Sequence, residues 1–353
     1  MPLFALDDLA AYPKIDRSDM RHELLGLPNQ LTNAWKMGLE NEIPAFKKVT
    51  NIVLAGMGGT AIGADLLAAY LADISSCPLH VLREYQLPCW ARGRENLVIA
   101  SSHSGNTEEV LSVFDQALQR GCSLMVISTG GEISNKADTH SIPLWKFSHK
   151  GQPRSAVGYS FGFLLALMTR LNFIPDQTHN VQSAIVAMEK MISSVDIVVP
   201  VKQNPAKRMA GQMLDHWVTI VGSDHLVPIA RRIKCQINEL SKAWAQFESL
   251  PEMDHNTLAG IYSAEDVLSK TMVLFLSASF MHPRNLLRIN LTRMELLRAG
   301  FNTDVVEFKE ESRLAEMWAS VVFGDFLSYY LAMAYQVDPT PIDAIQNLKK
   351  AMR

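Results

Sequence analysis

Two short segments of the sequence carry the residue types that bind phosphate. The first runs from Val53 to Gly63 and reads Val-Leu-Ala-Gly-Met-Gly-Gly-Thr-Ala-Ile-Gly, so that Gly58, Gly59 and the hydroxyl of Thr60 lead from an apolar stretch into a helical pattern. Backbone N–H groups at the start of a helix lack intrahelical partners, and the helix dipole is positive there. The segment therefore predicts an anion cradle at a helix N-terminus.

The second segment, from Ser101 to Glu109, reads Ser-Ser-His-Ser-Gly-Asn-Thr-Glu-Glu. Hydroxyl groups of this segment can donate hydrogen bonds to phosphate oxygens, and its glycine lets the backbone approach a ligand; the candidates are Ser102, Ser104 and Thr107. An ordinary helix N-cap formed by Asn106 or Thr107 is the alternative. Ligands of open α/β sheets bind at the carboxyl ends of strands, so two such loops after successive strands favour a phosphate site.

A dinucleotide site competes with the phosphate site for the glycine-rich segment. Gly56, Gly58 and Ala61 match the pattern G-x-G-x-x-G/A. That pattern is accompanied by an acidic residue about 20 positions further on, which would hydrogen-bond the ribose. The stretch from Ser75 to His80 contains no acidic residue. The sequence therefore favours a phosphate group at this segment, with a nucleotide as the alternative ligand.

Short apolar runs alternate with longer helical patterns along the chain, which is typical of parallel sheets with helices on both faces. The predicted strands are Asn51–Leu54, His80–Leu82, Leu97–Ala100, Leu124–Ile127, Ser141–Trp145, Val218–Val221, Met272–Leu276 and Asp304–Glu307. Helices are predicted from about Thr60, Thr107 and Gly158. The second half repeats the order of the first, which indicates a duplication. The chain is accordingly predicted to be α/β, with two doubly wound parallel-sheet domains and flanking helices.

The composition excludes several classes of protein. The 33 basic and 36 acidic residues give a formal net charge of −3, so no global field attracts nucleic acid or an anionic membrane. The four cysteines form no C-x-x-C pair, which indicates reduced thiols rather than a zinc site or a disulfide framework. No apolar run is long enough to span a bilayer, and no signal peptide is recognised. We expect a cytoplasmic protein without metal or cofactor.

The two phosphate segments resemble the sugar isomerase (SIS) domain, whose patterns are G-M-G-G-[ST]-x-I-G and S-x-S-G-N-T. Four further segments extend the resemblance to the bifunctional phosphoglucose/phosphomannose isomerase family, namely Gln152–Ser155, Lys234–Lys242, Pro251–Asn256 and Pro341–Lys349. The resemblance covers nearly the whole chain. It implies an N-terminal segment (1–32), two SIS-type domains (33–175 and 176–338) and a C-terminal helix over the active site (339–353).

The family's reaction interconverts glucose 6-phosphate, and mannose 6-phosphate, with fructose 6-phosphate. It requires a base that removes a proton next to a carbonyl and returns it to the neighbouring carbon through an enediol. The resemblance assigns this role to Glu239; without the motif, Glu239 would pass for a solvated helical glutamate. Four basic residues surround it in sequence and could steer an anionic substrate, namely Arg231, Arg232, Lys234 and Lys242.

Three further residues receive roles from the resemblance. His255 would open the sugar ring, for which its near-neutral pKa is suitable, and would be supplied by the partner subunit of a homodimer. Arg154 would stabilise the enediolate, and Lys349 would assist ring opening or bind the substrate. From the residues alone, Arg154 could be a surface arginine and Lys349 a lysine that complements a helix dipole.

The sequence departs from the family pattern at Leu240, Asp254 and Thr257, which follow the predicted base or flank His255. A hydroxyl is kept at Thr60, where serine is frequent. Two other functions stay open: another phosphosugar isomerase, including one for amino-sugar phosphates, and a non-catalytic sugar-phosphate sensor. A sensor would need an output module, and no basic recognition helix precedes the first predicted strand.

Overall fold

The computed structural model describes residues 6–46, 48–262 and 265–352. Residues 1–5 of the predicted N-terminal segment and residue 353 of the predicted C-terminal helix lie outside the described residues. The chain forms two compact units. Unit 1 comprises the residues up to Leu25 and those from Ser183 onward, and unit 2 comprises Gly26–Gln182.

Unit 2 contains a five-stranded parallel sheet. Its strands are β1 (Asn51–Ala55), β2 (Leu79–Leu82), β3 (Asn96–Ser102), β4 (Ser123–Ser128) and β5 (Leu144–Lys146). They lie in the order β2-β1-β3-β4-β5, with Val53 opposite both His80 and Val98. This order is that of a doubly wound sheet, whose direction of winding changes between β1 and β3. The carboxyl ends of β1 and β3 therefore lie side by side at the edge where such sheets bind ligands.

Helices cover both faces of this sheet. They are α3 (Leu27–Glu40), α4 (Gly58–Leu71), α5 (Glu108–Gln119), α6 (Gly131–Thr139) and α7 (Val157–Arg170). On one face, Val110 and Phe114 of α5 join Val53, Val98 and Val126 of the strands in one apolar cluster. Elsewhere α7 packs against α3 and α4. Strands buried on both sides read as continuous apolar runs, which is why the sequence predicts them well.

Unit 1 contains a four-stranded parallel sheet. Its strands are β6 (Trp217–Ser223), β7 (Ala245–Leu250), β8 (Thr271–Ala278) and β9 (Asn302–Phe308). They lie in the order β7-β6-β8-β9, which repeats the order of the first four strands of unit 2. β8 in unit 1 thus holds the position that β3 holds in unit 2.

The helices of unit 1 include two short ones at its start, α1 (Tyr12–Ile15) and α2 (Met20–Leu25). After α8 (Thr178–Val195), within which the two units divide, come α9 (Pro205–Met213), α10 (Val227–Leu240), α11 (Glu265–Leu268), α12 (Pro283–Arg298), α13 (Arg313–Ala334) and α14 (Asp343–Ala351). Among the described residues, only α13 is long and apolar enough to cross a membrane. The most apolar stretch of α13 is 94% buried inside the protein, against α9 and α10 among others, so α13 is a core helix.

The structure confirms the predicted fold class and all eight predicted strands, seven of them with both ends within two residues of the prediction. β5 begins at Leu144 rather than Ser141, because Ser141 has a positive φ of 53° and follows the end of α6. β7 was not predicted. Its sequence, Ala-Gln-Phe-Glu-Ser-Leu, carries polar residues because the strand lies at an edge of the sheet.

Candidate active site

The turn between β1 and α4 forms the predicted glycine-rich cradle in unit 2. Gly58 is exposed and has a φ of +50°, a conformation that favours glycine. Gly59 and Thr60 are buried, and Met57, the residue before the helix, offers no side-chain cap. The first turn of α4 therefore presents backbone N–H groups at the carboxyl end of β1, where the helix dipole favours an anion.

Arg154 lies next to this turn. A Cβ atom on Gly59 would lie 2.5 Å from the carbonyl oxygen of Pro153 and 3.0 Å from the Cα atom of Arg154. Only glycine allows this approach between α4 and the 3-10 turn Pro153–Ser155, which precedes α7. Arg154 is 5% exposed, and its Nη1 lies 3.4 Å from Oε1 of Gln152. The sequence alternative of a surface arginine is therefore wrong.

The second phosphate segment forms a compact loop between β3 and α5, which we call the hydroxyl loop (Ser102–Thr107). Ser102 Oγ lies 2.8 Å from Thr107 Oγ1 and accepts a hydrogen bond from the backbone N–H of Gly105 at 3.0 Å. Ser104 is exposed, and its Oγ accepts a hydrogen bond from the N–H of Asn106 at 3.3 Å. The hydroxyl groups are thus held in place around the carboxyl end of β3.

The structure does not support the alternative of an ordinary N-cap on α5. Thr107 occupies the cap position, but its side chain makes no capping hydrogen bond and contacts Ser102 instead. The side chain of Asn106 accepts a hydrogen bond from the N–H of Glu132, at the start of α6. The first N–H groups of α5 are therefore not covered by these two side chains.

The hydroxyl loop rests on the turn that precedes α6. Gly105 has a φ of +71°, and a Cβ atom there would overlap the carbonyl oxygen of Gly130. Ser128, at the end of β4, donates a hydrogen bond to the carbonyl oxygen of Ser102 at 2.7 Å. Thr129 donates another to the carbonyl oxygen of His103 at 2.6 Å. These contacts from the end of β4 and the turn before α6 hold the backbone of the hydroxyl loop in place.

Glu239, the predicted base, lies in the last turn of α10 in unit 1 and is half-buried. Its backbone carbonyl oxygen accepts a hydrogen bond from Lys242 Nζ at 2.5 Å, and the same ammonium group lies 3.3 Å from the carbonyl oxygen of Pro339. Lys242 thus provides positive charge at the C-terminal end of α10, which the helix dipole favours.

The predicted basic cluster around Glu239 is not a set of equivalent cations. Arg232 is 2% exposed and forms a two-pronged ion pair with Asp325 of α13, with N–O distances of 2.6 and 3.0 Å. Its charge is neutralised inside unit 1, so the prediction that Arg232 steers substrate is wrong. Arg231 lies over the ring of Phe247, 5.0 Å from its centre. The helix turns by about 100° per residue, which separates these neighbouring side chains.

His255 is exposed and ends the 3-10 turn Glu252–His255 that follows β7. Its neighbour Asp254, one of the departures from the family pattern, joins this turn to α12. Asp254 lies 2.6 Å from Nη1 of Arg288 and accepts a hydrogen bond from Thr292 Oγ1 at 2.7 Å. Asp254 therefore has a structural role that no local sequence pattern indicates.

Lys349 is exposed in the last turn of α14, where its charge complements the helix dipole. The structure thus groups the phosphate-site candidates with Arg154 in unit 2, and it places Glu239, His255 and Lys349 on three separate elements of unit 1. Across residues 6–46, 48–262 and 265–352, no group of three or more His, Cys, Asp or Glu side chains is positioned to hold a metal ion.

The corresponding edge of unit 1 is occupied by carboxylates of the protein itself. Glu316 of α13 is fully buried and accepts hydrogen bonds from the N–H groups of Ser279 and Phe280, just after β8, at 2.8 and 3.2 Å. It also accepts one from the hydroxyl of Ser279. Asp224, just after β6, accepts a hydrogen bond from the N–H of His282 at 3.0 Å. A glutamate inside a largely apolar 22-residue helix, which also contains Asp325, is the sequence signal that could have identified this contact.

The C-terminal part of the chain, residues 202–352, matches the family model described as the bacterial phospho-glucose isomerase C-terminal SIS domain. The bifunctional phosphoglucose/phosphomannose isomerase of Caldicellulosiruptor bescii is 32% identical over 335 residues, which cover 94% of this chain and 98% of the relative. The enzyme of the same name from Aquifex aeolicus is 30% identical over 86% of this chain and 90% of its own length.

Among solved structures, the C-terminal domain of the glucosamine-fructose-6-phosphate aminotransferase from Francisella tularensis has a similar fold. It matches with a TM-score of 0.74 and 14% sequence identity, over 91% of this chain and 98% of that domain. At this identity the likeness concerns the fold alone. It agrees with the two parallel sheets and their repeated strand order.

Proposed function

The chain belongs to the bifunctional phosphoglucose/phosphomannose isomerase family, and we propose that it interconverts glucose 6-phosphate and mannose 6-phosphate with fructose 6-phosphate. The observation that carries this proposal is the ligand edge of the unit 2 sheet. There the uncapped first turn of α4 and the hydroxyl loop follow adjacent strands. Both offer hydrogen-bond donors for one phosphate group.

In this proposal the substrate phosphate is bound by unit 2. Backbone N–H groups at Gly58 and Gly59 supply fixed donors together with the positive end of the helix dipole. Hydroxyl groups complete the phosphate site, namely those of Thr60, Ser102, Ser104 and Thr107. The phosphate does not change during isomerisation, so these contacts hold substrate and transition state equally and lower KM.

Glu239 is the proposed base. Its carboxylate removes the proton from C2 of the open-chain aldose, the C2–H electron pair forms the C1=C2 double bond, and the carbonyl electron pair moves to O1, which takes up a proton to give a cis-enediol. O2 then loses its proton as the C2=O double bond forms, and the protonated carboxyl returns its proton to C1, which gives the ketose. A single carboxylate on one side of the intermediate performs both transfers.

Negative charge develops on the substrate oxygens during these transfers. Arg154 is the proposed donor, and its burial beside the glycine turn supports the role, since a guanidinium held in place need not reorganise. His255 is proposed to open the sugar ring, with Lys349 assisting or binding the substrate. We further propose that the protein is a cytoplasmic homodimer in which His255 reaches the site of the partner subunit.

Both aldoses are proposed substrates because they differ only at C2, which becomes planar in the enediol. The side chain of Thr107 is small and would leave room for both epimers. The test is a comparison of kcat/KM for glucose 6-phosphate and mannose 6-phosphate in a fructose 6-phosphate assay. Undetectable turnover of the mannose compound would refute dual specificity.

The assignment of the base is tested with Glu239→Gln, which keeps the size of the side chain and removes its basicity. We expect kcat to fall about 10²- to 10⁴-fold, the usual contribution of a general base. Glu189→Gln, which alters an exposed residue of α8, is the matched control and should keep full activity. Assays in EDTA are expected to show unchanged wild-type activity. Near wild-type turnover by Glu239→Gln would refute the role.

The shared site is tested by mixing two inactive proteins, Glu239→Gln and His255→Ala. If His255 acts in the partner subunit, half of the sites in a mixed dimer combine an intact glutamate with an intact histidine, and activity returns on mixing. If both residues serve the site of their own chain, every site has one defect and the mixture stays inactive. The second outcome would refute the exchange of His255.

A further inference from the structure

A pair of histidines lies directly beside the hydroxyl loop. His103 is the residue between Ser102 and Ser104, and its ring Nε2 lies 2.9 Å from ring Nδ1 of His149. His149 belongs to the segment between β5 and α7, so the contact joins residues 46 positions apart in sequence. No motif in the sequence assigns a role to either histidine.

Aromatic side chains surround this pair. The ring of His103 stands edge-on to Phe147 with centres 6.0 Å apart, and His149 stands edge-on to Tyr159 at 5.8 Å. Phe147 and Tyr159 in turn stack on each other at 4.8 Å. Burial, with a smaller effect of His149, lowers the pKa of His103 to about 4. His103 is therefore neutral near pH 7, and its ring Nε2 can share a hydrogen bond with ring Nδ1 of His149.

We propose that the His103–His149 pair is a positioning device that holds the hydroxyl loop in its phosphate-binding conformation. The residue at position 103 is fixed from two directions, because its carbonyl oxygen accepts a hydrogen bond from Thr129 and its ring is held by His149. Ser102 and Ser104 are bonded directly to His103, so fixing the backbone of His103 also restrains these two hydroxyl residues. This inference rests on the proposed role of the loop in binding the substrate phosphate.

The remainder of the loop shows why this anchor is needed. Beyond His103, Gly105 packs against the turn before α6, and Asn106 accepts a hydrogen bond from the N–H of Glu132. The exposed side chain of Ser104 has no hydrogen bond to another element among the described residues, whereas its backbone carbonyl oxygen lies beside Gly131 of α6, where an added Cβ atom would overlap it. The ring contact of His103 should therefore influence where the Ser104 hydroxyl points.

The experiment compares substitutions that remove the ring contact with substitutions that retain it. His103→Leu and His149→Leu remove it. His103→Gln places an amide atom close to the former Nε2, and His149→Asn places one close to the former Nδ1, so each can form the hydrogen bond again. His140→Leu is the matched control, because His140 is an exposed histidine of the same unit at the end of α6. Thermal unfolding is followed for every variant.

We expect the leucine variants to raise KM for glucose 6-phosphate, and the Ki of inorganic phosphate as a competitive inhibitor, by about 3- to 10-fold, the value of one hydrogen bond. The value of kcat should change less than twofold, because lost ground-state binding raises KM alone. The Gln and Asn variants should lie near wild type. The double leucine variant should be no weaker than the single ones.

Two results would overturn the inference. One is an unchanged KM and phosphate Ki in His149→Leu, and the other is an equal loss in the Asn and Leu variants of His149. If a leucine variant does not fold, the double variant His103→Gln/His149→Asn replaces it. Its two amides can form the hydrogen bond again, so its KM and phosphate Ki should match those of the single variants. Weaker binding in the double variant would contradict the inference. A wild-type protein without isomerase activity refutes the proposed function instead, and phosphate affinity measured by calorimetry still tests the pair.

Discussion

Ser102 Oγ lies 2.8 Å from Thr107 Oγ1, so the last residue of β3 and the residue before α5 are joined across the hydroxyl loop. The same Oγ accepts a hydrogen bond from the N–H of Gly105. The Ser102 hydroxyl therefore links the start of the loop both to Gly105 in its middle and to Thr107 at its end. The two hydroxyls orient each other, which reduces the ordering that a bound phosphate would have to impose.

Ser102→Ala should raise KM for glucose 6-phosphate more than it lowers kcat. The substitution removes the hydroxyl of a residue that is 3% exposed and leaves the Gly105 N–H without its partner. An unsatisfied buried donor costs about 1–3 kcal/mol, which corresponds to roughly 5- to 150-fold in KM if the loop must reorder on binding. Steady-state kinetics measure the effect. Thr139→Ala, at the exposed end of α6, should leave KM unchanged.

Gly59→Ala should displace the turn that carries Arg154. The added methyl group would lie 2.5 Å from the carbonyl oxygen of Pro153, which is backbone and cannot rotate away. We expect kcat to fall about tenfold or more, since small misplacements of catalytic groups are costly. Gly211→Ala in α9 is the control, because nothing lies within 4 Å of its added Cβ. Full activity in Gly59→Ala would show that the turn tolerates the methyl group.

Asp325→Asn should destabilise unit 1 strongly. The substitution removes the charge that neutralises Arg232, and both residues are nearly inaccessible to solvent. Breaking one side of a buried ion pair costs about 3–5 kcal/mol. Urea unfolding followed by circular dichroism measures the loss. Glu295→Gln, which breaks the exposed pair with Arg298 in α12, should change the free energy of unfolding by at most about 1 kcal/mol.

The contribution of Glu316 to stability should depend on pH. Burial alone would raise the pKa of this carboxyl group, but His225 and the hydrogen bonds from Ser279 and Phe280 lower it below its usual value of 4.5. A lowered pKa in the folded state stabilises the protein above the unfolded-state pKa. This stabilisation is lost as the pH falls from 4.5 through the folded-state pKa.

Glu316→Gln measures this contribution. The difference in unfolding free energy between wild type and variant should be largest near pH 7 and should shrink below pH 4.5. A difference that stays constant from pH 7 to pH 3.5 would contradict an ionised Glu316. Glu310→Gln is a control, because Glu310 pairs with the exposed Lys190.

The sequence predicts the fold well where strands are buried on both faces. β1, β3, β4 and β8 are continuous apolar runs, and the structure confirms each of them. The sequence predicts the fold poorly where the residues that contact one another are distant in the chain. The edge strand β7 carries mixed polarity, and its identity as a strand depends on pairing with β6.

The same reasoning applies to the site. The glycine-rich turn and the hydroxyl loop are local motifs, and their residue types and spacing predict the strand-to-helix turns that the structure shows there. The charge state of the basic cluster was not predictable, because Asp325 is 93 positions from Arg232 and no local pattern connects them. The contact between His103 and His149 was not predictable for the same reason, since only the fold brings these two residues together.

The carboxylate of Glu316 has a consequence for binding stoichiometry. At the end of β8 this carboxylate accepts hydrogen bonds from two backbone N–H groups and one hydroxyl, the donors that a bound anion would need. Unit 1 therefore satisfies these donors internally, whereas unit 2 presents the first turn of α4 and the hydroxyl loop at the equivalent edge. Each polypeptide should then saturate with a single phosphosugar molecule, although its architecture is doubled.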